Sequence, residues 1–242
     1  MKNLKKSIIY IVIMSLILLT CTGCSLKKTE ENKSKDKTLA EVNYIEDSLI
    51  KIINKYAKGE YSKEETVQNG TETVTTIDWD SMLKDEKDLL ESLDTVILDL
   101  SELDIKNEDV IKLSSEINNL IILTTEENIS GVLYKIRDIY SLIPEYMKTF
   151  ENDTDLINKK NIKRLVISCY SLVVDGKWEE AKAEALNLET KYKEMMNDLK
   201  YAENNSYNLN NIYVLVEEFK NSIGLENIEL ISLKYITLIE KI

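Results

Sequence analysis

The sequence contains no histidine among its 242 residues. This absence excludes Ser-His-Asp and Cys-His catalysis, and it removes a common ligand of zinc and iron as well as the usual proton shuttle near neutral pH. The sequence also has no glycine-rich phosphate loop and no zinc-ligand spacing. We therefore predict that the protein is not an enzyme and has no catalytic residue, no metal site and no cofactor.

Proline, glycine and cysteine are also scarce, with one, six and three residues. Tight turns need glycine and proline, so long helices are the economical arrangement for this chain. Cys21 and Cys24 lie near the amino terminus, and Cys169 lies alone on the apolar stripe of a predicted helix. We expect Cys169 to be a buried thiol, and a mature exported chain to contain no intramolecular disulfide.

The amino terminus has the three parts of an export signal. Lys2, Lys5 and Lys6 form its positively charged start, and an apolar run over residues 8–19 follows. This run is shorter than the ~20 residues that a bilayer-spanning helix needs. A cleaved signal peptide is therefore expected, and not a permanent transmembrane anchor.

The end of the apolar run, Thr22-Gly23-Cys24, resembles a bacterial lipobox, in which small residues precede a cysteine that receives diacylglycerol. Cys24 is the favoured lipidation site, and residues 1–23 are then the signal peptide. Cys21 stands where leucine is usual and offers a competing, less favoured site, and an ordinary secretory signal is the remaining alternative. Because two or more acyl chains anchor a protein stably, we expect it to be lipid-anchored and extracytoplasmic, on the outer face of the cytoplasmic membrane.

The chain outside the signal is strongly acidic. Residues 24–38 alternate lysines with acids and have little apolar content, which predicts a disordered tether. The whole chain has a net charge of −12, and removal of residues 1–23, with three lysines and no acid, leaves 28 basic and 43 acidic residues, or −15. Such a surface repels nucleic acid, so no nucleic-acid partner is expected.

Apolar residues recur at helical spacing through most of the remaining chain. The pattern predicts a first helix over residues 39–58. Residues 59–77 interrupt it, and Asn69-Gly70 inside this stretch indicates a flexible linker or at most a weak hairpin. Asp78 is a candidate cap for the helix that follows.

Residues 78–242 are predicted to form one helical-hairpin domain. After its first helix, three hairpins follow, with turns near Thr125, at Asp175-Gly176 and at Gly224. These turns lie roughly 48 to 50 residues apart, a spacing typical of stacked or bundled helix pairs. The predicted fold class is all-α: an antiparallel bundle or a short stack of about three hairpins, preceded by an extra helix and a flexible linker.

Four aromatic residues form the candidate binding surface. Trp79 and Trp178 each begin a predicted helix, and Tyr140 and Tyr146 lie near the apolar stripe of another. Packing in the core or at its rim is the default interpretation. The functional alternative is an aromatic groove between hairpins that binds a peptide or glycan strand. The numerous carboxylates are interpreted as solvated helix faces.

The chain resembles a group of lipoproteins from clostridia and related low-GC Gram-positive bacteria, which pair a lipobox with an acidic, all-helical ectodomain. The resemblance rests on Thr22-Gly23-Cys24 and on the segments 140–150 and 176–181. It covers residues 78–242 and the signal. It implies a location and a fold, and it carries no activity over to these residues.

The leading functional hypothesis is a non-catalytic, membrane-anchored scaffold that binds another protein of the cell envelope. It follows from the lipid anchor, the tether and the grooves that helix pairs present for protein recognition. The alternative is a lipoprotein that captures a small ligand or cation for an uptake or sensing system.

Overall fold

The computed structural model describes residues 36–66, 73–102, 106–151, 153–199 and 206–242. Within these ranges the chain forms eight helices and one two-stranded hairpin. In chain order they are α1 (36–57), β1 (Ser62–Thr66), β2 (Thr73–Ile77), α2 (Trp79–Glu102), α3 (Asn107–Thr125), α4 (Ile129–Phe150), α5 (Thr154–Val174), α6 (Trp178–Leu199), α7 (Ser206–Gly224) and α8 (Ile228–Ile239). The all-α fold class is confirmed.

Each helix from α2 to α8 packs against the next one along the chain, and α8 returns to contact α5. The three predicted hairpins are the pairs α3/α4, α5/α6 and α7/α8. Helix α5 is central, and residues 165–173 are all buried, including Cys169 as expected. No described helix combines the length and apolar character that crossing a membrane requires.

The three hairpin turns share one backbone conformation. A residue with positive φ follows each first helix, at Glu127 (φ 56°), Gly176 (φ 71°) and Glu226 (φ 54°). In the first turn the amide of Asn128 donates to the carbonyl oxygen of Leu123 at 3.0 Å, the long hydrogen bond typical of this helix ending. The predicted turn positions are therefore confirmed within two residues. Gly224 itself ends α7, and the left-handed position falls on Glu226.

Residues 62–66 and 73–77 form an antiparallel pair with Ser62 opposite Ile77. These ten residues therefore form the weak hairpin that was one of the two interpretations of residues 59–77, and not a flexible linker. Asn69-Gly70 lies outside the described residues. The pairing continues one residue beyond the strands, where the amide of Asp78 donates to the carbonyl oxygen of Tyr61. Asp78 caps α2 as predicted, since its carboxylate accepts from the amide of Ser81 at 3.1 Å.

Helix α1 belongs to the same core as the helices that follow it, so it is not a separate N-terminal element before a domain that starts at residue 78. Its buried stripe consists of Val42, Ile45, Leu49, Ile52 and Ile53. Residues 36–38 of the predicted tether already belong to α1, and Thr38 is buried. The rest of the tether, the signal peptide, Cys21 and Cys24 lie outside the described residues.

A buried ion cluster joins α1 to α4 and α5. Glu46, 1 % exposed, accepts from the ammonium of Lys160, from that of Lys163 at 3.0 Å and from the hydroxyl of Tyr140 at 3.0 Å. Lys160 also donates to the side-chain oxygen of Asn43 at 3.0 Å. Burial by itself raises the pKa of Glu46, but Lys163 and Lys160 outweigh this effect and hold the pKa below its usual range.

Replacement of Glu46 by glutamine should lower the free energy of unfolding by about 3 kcal/mol, because it leaves Lys160 buried without a counter-charge. Urea denaturation at pH 7 measures this change. The matched control is Glu145→Gln, which removes an exposed carboxylate 2.7 Å from Lys148 and should cost less than about 0.5 kcal/mol. Equal losses in the two variants would contradict the structural role of Glu46.

Replacement of Glu127 by glycine should raise the free energy of unfolding by about 1 kcal/mol, because glycine adopts positive φ without the steric cost that a side chain incurs. The control is the neighbouring Glu126→Gly, where φ is −82°. There glycine relieves no strain and adds freedom to the unfolded chain, so stability should fall by about 0.5 kcal/mol. Changes of the same sign in both variants would refute the assigned turn.

Candidate functional site

The structure places two of the four candidate aromatic residues in the core. Tyr140 and Tyr146 are buried, and their hydroxyls are engaged: Tyr140 donates to Glu46, and Tyr146 donates to the carbonyl oxygen of Asp109 at 2.6 Å. Trp79 and Trp178 are half-buried and pack against the core. Core and rim packing accounts for all four, and an exposed aromatic groove that includes Tyr140 and Tyr146 is excluded.

Cys169 is the only free thiol in the described residues, and it lies fully inside the core. Burial raises the pKa of this thiol well above its usual value. A thiol that stays protonated is a poor nucleophile and a poor metal ligand. Cys169 is therefore a packing residue.

Asp85 anchors the carboxyl-terminal end of α1 to α2. It accepts from Lys51 at 3.0 Å, from Lys55 at 2.7 Å and from the hydroxyl of Tyr61 at 2.6 Å. Burial opposes the ionised form, but these three donors prevail and lower the pKa of Asp85 to about 2. This cluster contains a single carboxylate saturated by the protein's own cations, so it has no free capacity for a ligand.

Glu86, next to Asp85 in the chain, has the opposite environment. It is fully buried, accepts one hydrogen bond from the hydroxyl of Thr124 at 2.5 Å, and its second carboxylate oxygen has no partner. Burial raises the pKa of Glu86 to about 7; the Thr124 bond lowers it and the charge of Asp85 adds to the rise. Glu86 is a poorly satisfied core carboxyl without an opening to solvent.

No group of three or more cysteine, aspartate or glutamate side chains within the described ranges is arranged to hold a metal ion. Some acidic residues on the helix surfaces instead form ion pairs with nearby lysines, as Glu194 does with Lys191 at 2.7 Å and Glu218 does with Lys234 at 2.6 Å.

A groove between α2 and α3 is lined, among the described residues, by side chains that carry no charge. Its volume is about 410 Å³, and its lining consists of Ile97, Val110, Ile111, Ser114, Ser115, Asn118 and Asn119. Ile111 is 66 % exposed and Ile122, three turns further along the same face of α3, is 53 % exposed. On α2, Leu98 is 68 % exposed. Charged residues make up 31 % of the chain, so this face is distinct.

A second groove, between α5 and α6, is polar and contains both signs of charge. Its volume is about 310 Å³. The charged lining residues are Arg164, Lys191, Glu194 and Asp198; the amides are Asn158, Asn161 and Asn187; and the apolar part consists of Ile162, Leu165 and Met195. This volume lies at the lower end of the range of small-ligand sites.

Neither groove was predicted from the sequence. A signal for the first was present, since residues 117–125 contain no charged side chain although the exposed positions of a surface helix are normally polar and often charged. The second groove has no local sequence signal, because its two walls are α5 and α6, which form a groove only after they fold back on each other. The aromatic residues predicted as a binding surface instead pack in the core or at its rim.

Comparisons of the chain with protein-family models, with curated proteins and with solved structures find no match.

Stability should depend on pH through Glu86, and in the direction opposite to that of an ordinary ion-paired acid. Its pKa is 4.5 in the unfolded chain and about 7 in the fold. The folded state therefore binds more protons between these values, and the stability that this group contributes at low pH is lost as the pH rises through them. Glu86→Gln stays neutral and should raise the free energy of unfolding at pH 8 by about 1 to 3 kcal/mol, with little change at pH 5.

The control for this prediction is Asp85→Asn, whose parent carboxylate has a lowered pKa of about 2. Its contribution is present above pH 4 and lost as the pH falls toward 2, so this variant should be less stable than the parent at both pH 5 and pH 8. Urea denaturation at the two pH values measures both variants. A Glu86→Gln effect that is the same at pH 5 and pH 8 would show that Glu86 does not titrate in this range.

Proposed function

We propose that this protein is a lipoprotein held on the outer face of the cytoplasmic membrane through lipid on Cys24, and that it binds another protein of the cell envelope without catalysing a reaction. The basic start, apolar run and Thr22-Gly23-Cys24 ending support the anchor. The groove between α2 and α3, whose described lining residues carry no charge, is the single observation that supports protein binding.

The chemistry of this groove suits a protein partner. The buried centres of protein interfaces are depleted in charged residues, because each charge loses its hydration on association. Ile111, Ile122 and Leu98 expose apolar surface whose removal from water contributes about 25 cal/mol per Å². Ser115 and Asn118 offer donors and acceptors between these apolar side chains, so that a partner's backbone can form hydrogen bonds there.

The position of the groove also suits a partner at the membrane. Helix α1 runs parallel to α5, since Asn43 meets Lys160 and Glu46, three residues later, meets Lys163. The carboxyl-terminal end of α1 meets Asp85 near the start of α2. The end of α2 and the start of α3, where Ile97 and Val110 lie, are therefore at the end of the molecule where α1 begins. Twelve residues, 24–35, precede the described part of α1, a length that spans at most about 40 Å. With the proposed anchor at Cys24, the groove would lie within reach of a partner at the membrane.

The alternative function, capture of a small ligand for an uptake or sensing system, is favoured by one observation, the mixed-charge groove between α5 and α6. The two functions use different surfaces of the molecule and can be tested separately.

In-cell photo-crosslinking tests the protein-binding proposal. A photoreactive residue at Ser115, inside the groove, should capture one recurrent envelope protein, and the same residue at the exposed Thr190 of α6 should not. Ile111→Glu should reduce capture about tenfold or more, because it buries a charge in the interface. The matched control Leu186→Glu changes an equally exposed apolar residue outside the groove and should have no effect.

A Cys24→Ala form tests the anchor in the same experiment, because loss of the lipid should release the protein from the membrane and lower the capture of a membrane-bound partner. Capture that is equal from Ser115 and Thr190, or unaffected by Ile111→Glu, would exclude the groove as the binding surface. Membrane retention of the Cys24→Ala form would exclude Cys24 as the anchor and direct attention to Cys21.

A further inference from the structure

The groove between α5 and α6 contains a cation that the protein does not neutralise. The chain has two arginines, Arg137 and Arg164. Arg137 binds Asp138 at 2.8 Å and lies 4.7 Å from the ring of Tyr134. Arg164 is half-buried in the groove wall and forms no hydrogen bond or ion pair with any residue in the described ranges. A half-buried guanidinium offers five donors in a rigid planar arrangement.

The other cation of the groove, Lys191, does have a partner within the protein. Lys191, across the groove on α6, donates to Glu194 at 2.7 Å. The positive charge available to a ligand is therefore the guanidinium of Arg164. Because Glu194 and Asp198 also line the groove, the site disfavours a doubly charged anion such as phosphate and suits a single carboxylate.

Three asparagines continue the groove beside Arg164. Asn161 donates to the carbonyl oxygen of Ile157 at 3.1 Å and Asn187 donates to Glu184 at 3.1 Å, so each retains a side-chain oxygen that can accept. Asn158 makes no hydrogen bond in the described part of the chain and retains both its donors and its acceptor. Side-chain amides of this kind match the alternating donors and acceptors of a peptide backbone.

The opposite end of the groove carries a negative charge. Asp198 lies 11 residues after Asn187 on α6, a rise of about 16 Å along the helix. Because α6 runs antiparallel to α5, Asn187 lies toward the Arg164 end and Asp198 lies toward the Asn158 end. The groove therefore presents a positive group, amides and a negative group in order along its length.

We propose that this groove binds a short peptide with a free carboxyl terminus. The terminal carboxylate accepts two hydrogen bonds from Arg164, the backbone bonds with Asn158, Asn161 and Asn187, and the amino end lies toward Asp198. Ile162, Leu165 and Met195, which belong to the core, form the apolar floor of the groove. This site is separate from the α2–α3 groove, so the proposal stands or falls independently of protein binding.

The presence of only two arginines allows a direct test on the full-length chain in detergent. Nitrogen-15 spectra should show two arginine side-chain Nε–H signals, and Arg164→Gln identifies one of them by its loss. A mixture of tripeptides with free carboxyl termini should shift the Arg164 signal and leave the Arg137 signal in place. The same mixture with amidated carboxyl termini should bind at least tenfold more weakly, because the charge-assisted bidentate contact is lost.

Calorimetric titration of the variants completes the test. Arg164→Gln should reduce the affinity for the free-acid tripeptides at least tenfold, and the matched Arg137→Gln variant should bind as the parent does. Equal binding of the acid and amide mixtures, unchanged binding by Arg164→Gln, or no binding of the free-acid mixture at millimolar concentration would each overturn the proposal. A shift of the Arg164 signal by inorganic phosphate as strong as that by the tripeptides would also overturn it, in favour of a general anion site.

Discussion

The charge of Glu46 is the constraint on which the arrangement of the helices depends. A buried carboxylate must be compensated, and the groups that compensate it come from two other helices, Tyr140 on α4 and Lys160 and Lys163 on α5. The apolar stripe of α1 repeats every three or four residues, so it could pack after a shift of one turn. The contacts of Glu46 are satisfied in one register only, and a shifted α1 would bury four charged or polar groups without partners.

The polar contacts of α1 lie near its middle, at Glu46, and toward its carboxyl-terminal end, and buried apolar residues lie on both sides of Glu46. Asp85 binds Lys51, Lys55 and Tyr61 at the far end, which ties α2 and the β-hairpin to α1. Helix α1 forms side-chain bonds with residues of α2, α4 and α5. The helices from α2 to α8 contact mainly their neighbours in sequence, with the pair α5 and α8 as the exception. The bonds of α1 therefore join parts of the chain that the sequential helix contacts do not.

The helices and their turns were predictable because they depend on local pattern: apolar spacing, Asp78 as a cap, and Gly176 at a left-handed position. The turn at Glu226 was placed two residues early, since glycine is the usual sign of positive φ and Gly224 is the nearest glycine. Tyr140 was ambiguous for a different reason. Its hydroxyl partner, Glu46, lies 94 residues away in the chain, and no local pattern distinguishes a core tyrosine from one at an exposed rim.

The two grooves are best understood against the net negative charge of the chain. On a chain with a net charge of −12, attraction of cationic molecules is general and cannot by itself select a partner. Selective binding requires places where the surface is not simply acidic. The α2–α3 groove departs because its described lining residues carry no charge; for the proposed protein partner, this would favour an apolar surface, since a charged one would lose its hydration without compensation. The α5–α6 groove departs at Arg164, where an anion gains a contact that the rest of the surface denies it. Under the two proposals, each groove would thus be selective because the surrounding surface is acidic.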